Sequence, residues 1–209
     1  MADNFMTARG RVFLLALALP WGLSLMGCEE GLPEVTPEEA SRVAQVAEPA
    51  ANALLRSLVD HLTTALEEGG APEAAEFCSI EAMPLTRMAE AALTDGMALK
   101  RTSFRYRNPD NAPDQAEEMA LRHFEEAILA GGALPAHFIQ RVSEEELRYY
   151  KPLLVGEVCL QCHGGPETLD PAVQPILDDT YPGDLATGYQ AGDFRGVVRV
   201  SVPARLVQE

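Results

Sequence analysis

Gly196-Val197-Val198-Arg199-Val200-Ser201-Val202 is the cleanest strand in the chain, a run of valines broken only at Arg199 and Ser201. Moving backward, Leu99 to Arg107 also has period two, with Thr102, Phe104 and Tyr106 on one face and Arg101, Ser103, Arg105 and Arg107 on the other. His137 to Val142 and Leu147 to Lys151 pair as a predicted hairpin around Ser143-Glu144-Glu145. Helices occupy the other end of the chain. Thr36-Pro37-Glu38-Glu39 reads as a capping box with proline at the first helical position. Val43, Val46, Ala50, Leu54, Leu58, Leu62 and Leu66 then form one apolar face, and Gly69-Gly70 ends the helix. Pro72 opens a second helix carrying Cys78, which Pro84 should interrupt or restart before Gly96. A further helix from Pro113 carries Ala116, Ala120, Phe124 and Ile128 on one side. Helices first and strands later define an α+β chain without internal repeats.

Residues 156–193, rich in Gly, Pro and Asp, interrupt this pattern, and a loop so long in one domain is usually functional. Inside it lies Cys159-Leu160-Gln161-Cys162-His163. In an exported protein Cys-x-x-Cys-His is the attachment signature of a c-type haem, in which each thiol adds to one vinyl group and the adjacent histidine faces the iron. A zinc site fits less well, because the only other cysteines, Cys28 and Cys78, have no neighbour at ligand spacing. A thioredoxin-like redox pair would open a helix in a βαβ context.

The N-terminus supplies the export signal. Arg9 and Arg11 precede a run from Val12 to Met26 that is apolar apart from Ser24, and Leu25-Met26-Gly27-Cys28 resembles a lipobox. A transmembrane anchor is the competing reading, but a run this short, broken by Pro20 and Gly22, spans a bilayer poorly. Residues 1–27 are therefore expected to be a lipoprotein signal peptide, 28–36 a tether acylated at Cys28, and 37–209 a single domain in the bacterial periplasm or cell envelope. With 16 basic against 32 acidic residues, a formal charge of −16, the surface argues against nucleic acid and suits steering toward a basic partner. Among the four cysteines, Cys78 is left as an odd thiol in an oxidising compartment, where free thiols are uncommon. His61, His123, His137, Met83 and Met88 compete as a second axial ligand, since His/His and His/Met pairs are common in c-type carriers.

Several segments occur in a set order: Ala75-Glu76-Phe77-Cys78, Arg101-Thr102-Ser103 running into Arg107-Asn108-Pro109-Asp110-Asn111-Ala112-Pro113, Tyr149-Tyr150-Lys151-Pro152, the Cys159 to His163 motif, and Tyr181 to Tyr189 through Gly192 to Gly196. Together they resemble a family of single-haem c-type domains of unknown function with a PAS-like fold, whose members stand alone or act as periplasmic input modules of histidine kinases and chemoreceptors. The resemblance covers about residues 38 to 203. It implies a PAS-like antiparallel sheet with N-terminal helices and a long haem-binding loop, one haem c, and Cys78 as the axial ligand opposite His163. A thiolate ligand would stabilise Fe(III) and lower the potential. Arg101, Arg105 and Arg107 form the densest positive cluster and suit the haem propionates, with Arg195 a further candidate. Tyr181 and Tyr189 are candidates for the porphyrin edge.

Three functions fit these residues: a redox or gas-responsive haem module signalling through an extracytoplasmic partner, a membrane-tethered one-electron carrier, and a peroxidase-type haem enzyme. The last needs an open distal site, which a Cys78 ligand would block. The chain thus reads as an electron-transfer or sensor protein rather than an enzyme. It ends at Glu209, directly after the last strand, so any output is expected to be intermolecular.

Overall fold

A long helix, α1 (Pro37–Ala91), opens the fold in a computed structural model that describes residues 32–94 and 96–208. The signal peptide and Cys28 lie outside the described residues. Thr36 caps α1 by accepting from the Glu39 amide, at the position the capping box predicts. Gly70 breaks the helix with φ 73° and ψ −163°, a conformation open to glycine, so the expected helix end is a kink between two helical halves. Pro84, expected to interrupt or restart the second half, does neither: helical geometry runs on to Ala91. The carbonyl it deprives is that of Ile80, a residue 66 % exposed, where water can replace the lost amide.

The strands are β1 (Ala98–Thr102), β2 (Phe138–Arg141), β3 (Glu146–Leu154) and β4 (Phe194–Pro203), in the antiparallel order β1-β4-β3-β2. The predicted hairpin forms as β2 and β3, with Ile139 opposite Tyr149, and β3 runs three residues beyond the predicted end. The final strand is central, and its valines are fully buried on both faces of the sheet. Val43, Ala47, Ala51 and Leu54 of α1 pack on one face of this sheet against Leu99, Leu147, Tyr149, Val198, Val200 and Val202.

The second face is covered by α2 (Gln115–Leu129), which buries Ala120, Leu121 and Phe124 against Tyr150 and Val197. Asp114 and Glu117 form a reciprocal capping box at its start. Glu117 is fully buried, yet it meets Lys100 at 2.8 Å and Arg199 at 3.3 Å from the sheet beneath. The expected α+β class, with an antiparallel sheet and N-terminal helices, is the observed one.

Two local expectations need correcting. The strand predicted over Leu99 to Arg107 stops at Thr102. Gly196 sits just beyond the last β1 to β4 pair with φ 144°, and its ideal Cβ would lie 2.4 Å from the Thr102 carbonyl, so the two backbones close on each other and the chain departs. The alternation of Arg101, Ser103, Arg105 and Arg107 on one strand face therefore does not exist; Ser103 is buried and Arg105 exposed. The long loop is likewise not structureless. It contains α3 (Leu160–His163) and α4 (Gln174–Thr180), and Val173 and Leu177 pack on Ala71 and Ala75 just beyond the kink.

Candidate functional site

The apolar face of α1 continues past the sheet. Leu62 and Leu66 before the kink, and Ala75, Cys78, Ala82 and Met83 after it, form one wall of a cleft enclosing about 900 Å³ of space including its open mouth. Cys159, Cys162 and His163 line the same cleft, as do Arg101, Arg107, Arg195 and Tyr181. The fold thus brings Cys78 together with a motif more than eighty residues later in the chain. Cys78 is reached by solvent through the mouth, but the surrounding protein desolvates it and pushes its thiol pKa up, against the opposing pull of Arg101 and Arg107. Burial likewise pushes Cys162 up to about 11.

His163 is held tightly. Its Nδ1 lies 2.7 Å from the carbonyl of Ala186, which can only accept, so Nδ1 carries the proton and Nε2 keeps its lone pair. Two backbone bonds, from Tyr189 N to His163 O at 2.9 Å and from Gly188 N to Gly164 O at 2.8 Å, tie the motif to the returning loop. A Cβ on Gly164 would sit 2.5 Å from the Leu160 carbonyl, so a side chain at this position clashes. Desolvation first, then the positive charges of Arg107 and Arg195, hold the imidazole pKa well below its ordinary 6.5. The ring is therefore neutral, as a metal-ligating imidazole must be.

The arginines divide. Arg101 reaches the second half of α1, donating to the Ala82 carbonyl, while its buried Nε has no hydrogen-bond partner. Arg107 donates through Nε to Asp184 at 2.9 Å and through Nη2 to the Cys162 carbonyl at 2.6 Å. Arg195 donates to the Arg105 carbonyl at 2.9 Å. Arg105 does not line the cleft; it binds the carbonyls of Leu185 and Thr187 and lies 4.0 Å over the Tyr189 ring. Tyr189 is behind the histidine, edge-on at 6.4 Å, whereas Tyr181 faces the cleft.

The competing ligands also separate. His61 is exposed and stacked on Phe77 at 5.9 Å, His123 stacks on Phe138, His137 packs on Tyr149, and Met88 is 69 % exposed. Met83 alone among them lines the cleft, with its Sδ 3.9 Å from Arg101 Nη2. Among the described residues no three His, Cys, Asp or Glu side chains converge as a bare metal-ion site. Asp184 lies in the Asp-Leu-Ala-Thr-Gly-Tyr segment, yet no local spacing signals that its carboxylate turns back onto Arg107.

A four-stranded antiparallel sheet, a kinked helix bearing a cysteine, and a Cys-x-x-Cys-His loop closing one cleft define an α+β domain built around its thiols and one histidine. The chain belongs to the Tll0287-like family, which it matches over residues 34–203. It is similar in structure to the cyanobacterial heme-protein Tll0287, with a TM-score of 0.54 and 26% identity, over 80% of this chain and 96% of that one. No curated protein matches the chain.

Proposed function

We propose that this chain binds one haem c covalently through Cys159 and Cys162, with His163 and Cys78 as axial ligands. The observation that carries the reading is the shared cleft of Cys78 and the motif. The cleft suits the group in three respects: an apolar wall from α1, a neutral histidine with Nε2 free, and cationic side chains that include the unpartnered Arg101 Nε for the propionates. Similarity to a protein described as a heme-protein supports the same reading.

The haem supplies one-electron chemistry between Fe(III) and Fe(II), and a thiolate ligand favours the oxidised state and hence a low potential. A peroxidase reading finds no support in the lining, where among the described residues there is no carboxylate and no imidazole besides His163 for acid-base work. The domain then acts outside the cytoplasm as a carrier or redox sensor, tethered through Cys28, with a basic redox or signalling protein as partner for its acidic surface. One observation favours the sensor: Cys78 stands beyond the Gly70 kink, on the helical half bonded to β1 through Glu90, which accepts from the Leu99 amide, and through the Ala82 carbonyl, which accepts from Arg101, so a change at Cys78 has a route to the sheet.

The test is the optical and EPR spectrum of the protein matured with haem, oxidised and reduced, for the native chain and Cys78→Ala. A low-spin thiolate signal lost in the variant supports the assignment. A His/His or His/Met spectrum unchanged by the variant overturns Cys78 ligation. Slow self-exchange with CO binding to the reduced protein alone favours the sensor, and fast self-exchange without it favours the carrier.

A further inference from the structure

We infer that Asp184 is the positioning residue of the histidine ligand, and that Arg107 serves as its counter-ion rather than as a free anion clamp; the inference rests on the haem reading above. Asp184 uses both carboxylate oxygens. Oδ1 accepts from the Ala186 amide at 2.7 Å, and Oδ2 accepts from Arg107 Nε at 2.9 Å. The same Ala186 peptide presents its carbonyl to His163 Nδ1 at 2.7 Å, and the same Arg107 donates to the Cys162 carbonyl at 2.6 Å. A closed circuit runs from His163 through Ala186, Asp184 and Arg107 back to Cys162, the residue before the histidine. The four bonds span 2.6 to 2.9 Å, and the Arg107 and Asp184 side chains are only 13% and 11% exposed.

Two effects follow from this placement. Geometrically, Asp184 fixes the peptide that orients the imidazole, and a ligand's outer hydrogen bond sets ring orientation and basicity. Electrostatically, a weakly screened ion pair beside the cleft balances one positive against one negative charge. Removing either member leaves its partner's charge uncompensated near the iron. An unpaired Arg107 favours Fe(II), and an unpaired Asp184 favours Fe(III).

The experiment is spectroelectrochemical titration of the haem-loaded full chain for native protein, Asp184→Asn, Asp184→Ala, Arg107→Gln and the Asp184→Asn/Arg107→Gln double variant, with intact mass reporting covalent haem. Asp184→Asn is expected to raise the midpoint potential, Arg107→Gln to lower it, and the double variant to return close to native. Both single variants break the same ion pair, so a purely structural brace would move both potentials in one direction; that outcome overturns the inference, as does an unchanged potential in loaded Asp184→Asn. The carboxamide oxygen introduced by Asp184→Asn can still accept from the Ala186 amide, so Asp184→Ala is expected to broaden the low-spin EPR signal more than Asp184→Asn; equal signals overturn the orienting role. If Asp184→Asn fails to load haem, Arg107→Gln carries the electrostatic test by itself, a downward shift being required. Native protein without the mass of covalent haem would mean that the haem reading has failed, a result distinct from either of these.

Discussion

His163 donates its Nδ1 proton to the Ala186 carbonyl at 2.7 Å, and that bond decides which ring nitrogen remains available to the cleft. The acceptor is a backbone group, so no side-chain substitution at position 186 removes it directly. What remains variable is everything that places the two loop segments together.

The covalent link is the most direct prediction. Intact-mass measurement under denaturing conditions should show native protein heavier by one haem, and Cys159→Ala/Cys162→Ala without that increment. Single variants should retain one thioether. His163→Ala should keep the mass increment while losing the low-spin spectrum, since the thiols and the imidazole do separate work.

Gly196 is a second testable position. Gly196→Ala places a methyl 2.4 Å from the Thr102 carbonyl and 2.8 Å from Ser103 Cβ, at a φ of 144°. Loss of about 2–3 kcal/mol in denaturant unfolding is expected from the strained backbone and forced separation. Because the chain leaves β1 there toward Arg107, the variant should also load haem less completely.

Glu117→Gln tests the charged cluster under α2. The carboxylate is inaccessible to solvent and faces both Lys100 and Arg199. Neutralising it strands two cations, at a cost of about 3 kcal/mol in chemical denaturation. Glu117→Asp, which keeps the charge but shortens the reach, should fall between the native protein and Glu117→Gln.

Acid sensitivity should arise in part at Asp114. Desolvation, the largest single influence, pushes its carboxyl up, but the Glu117 amide and Arg148 together outweigh it and hold the pKa below the ordinary 3.8. A folded pKa below the unfolded one gives stability that is fully present above the unfolded value and lost as pH falls through the folded one. Asp114→Ala should cost about 1 kcal/mol at pH 7, mainly through the lost N-cap of α2, since the ion pair of this part-exposed carboxylate with Arg148 is screened by solvent. The gap to native should close as pH falls below 3.8, measured by thermal unfolding across the acid range.

Much of the fold was legible because its signals are local. The Thr36 cap, the Gly70 break, the hairpin around Ser143 to Glu145 and the valine strand are each written in adjacent residues. The misread elements depended on distant neighbours. Alternation through Arg107 suggested a strand, but Gly196, almost a hundred residues later, closes the pairing at Thr102. Pro84 suggested a helix boundary, but the carbonyl it orphans is on the solvent side of α1.

The candidate site divides along the same line. Cys159, Cys162 and His163 stand out from spacing alone, because the covalent attachment proposed for them would demand a fixed sequence separation. Cys78 carries no such spacing; as residues alone it is an odd thiol, and its place beside the motif comes from a kinked helix folding across the end of a sheet. The division of the arginines, with Arg101, Arg107 and Arg195 at the cleft and Arg105 on Tyr189, was likewise decided by the tertiary structure. Sequence determines what is encoded at short range, the caps, turns, strand alternation and Cys-x-x-Cys-His. Which distant charges and thiols meet is decided by packing, since hydrophobic burial drives elements together without regard to the polar groups they carry at their edges.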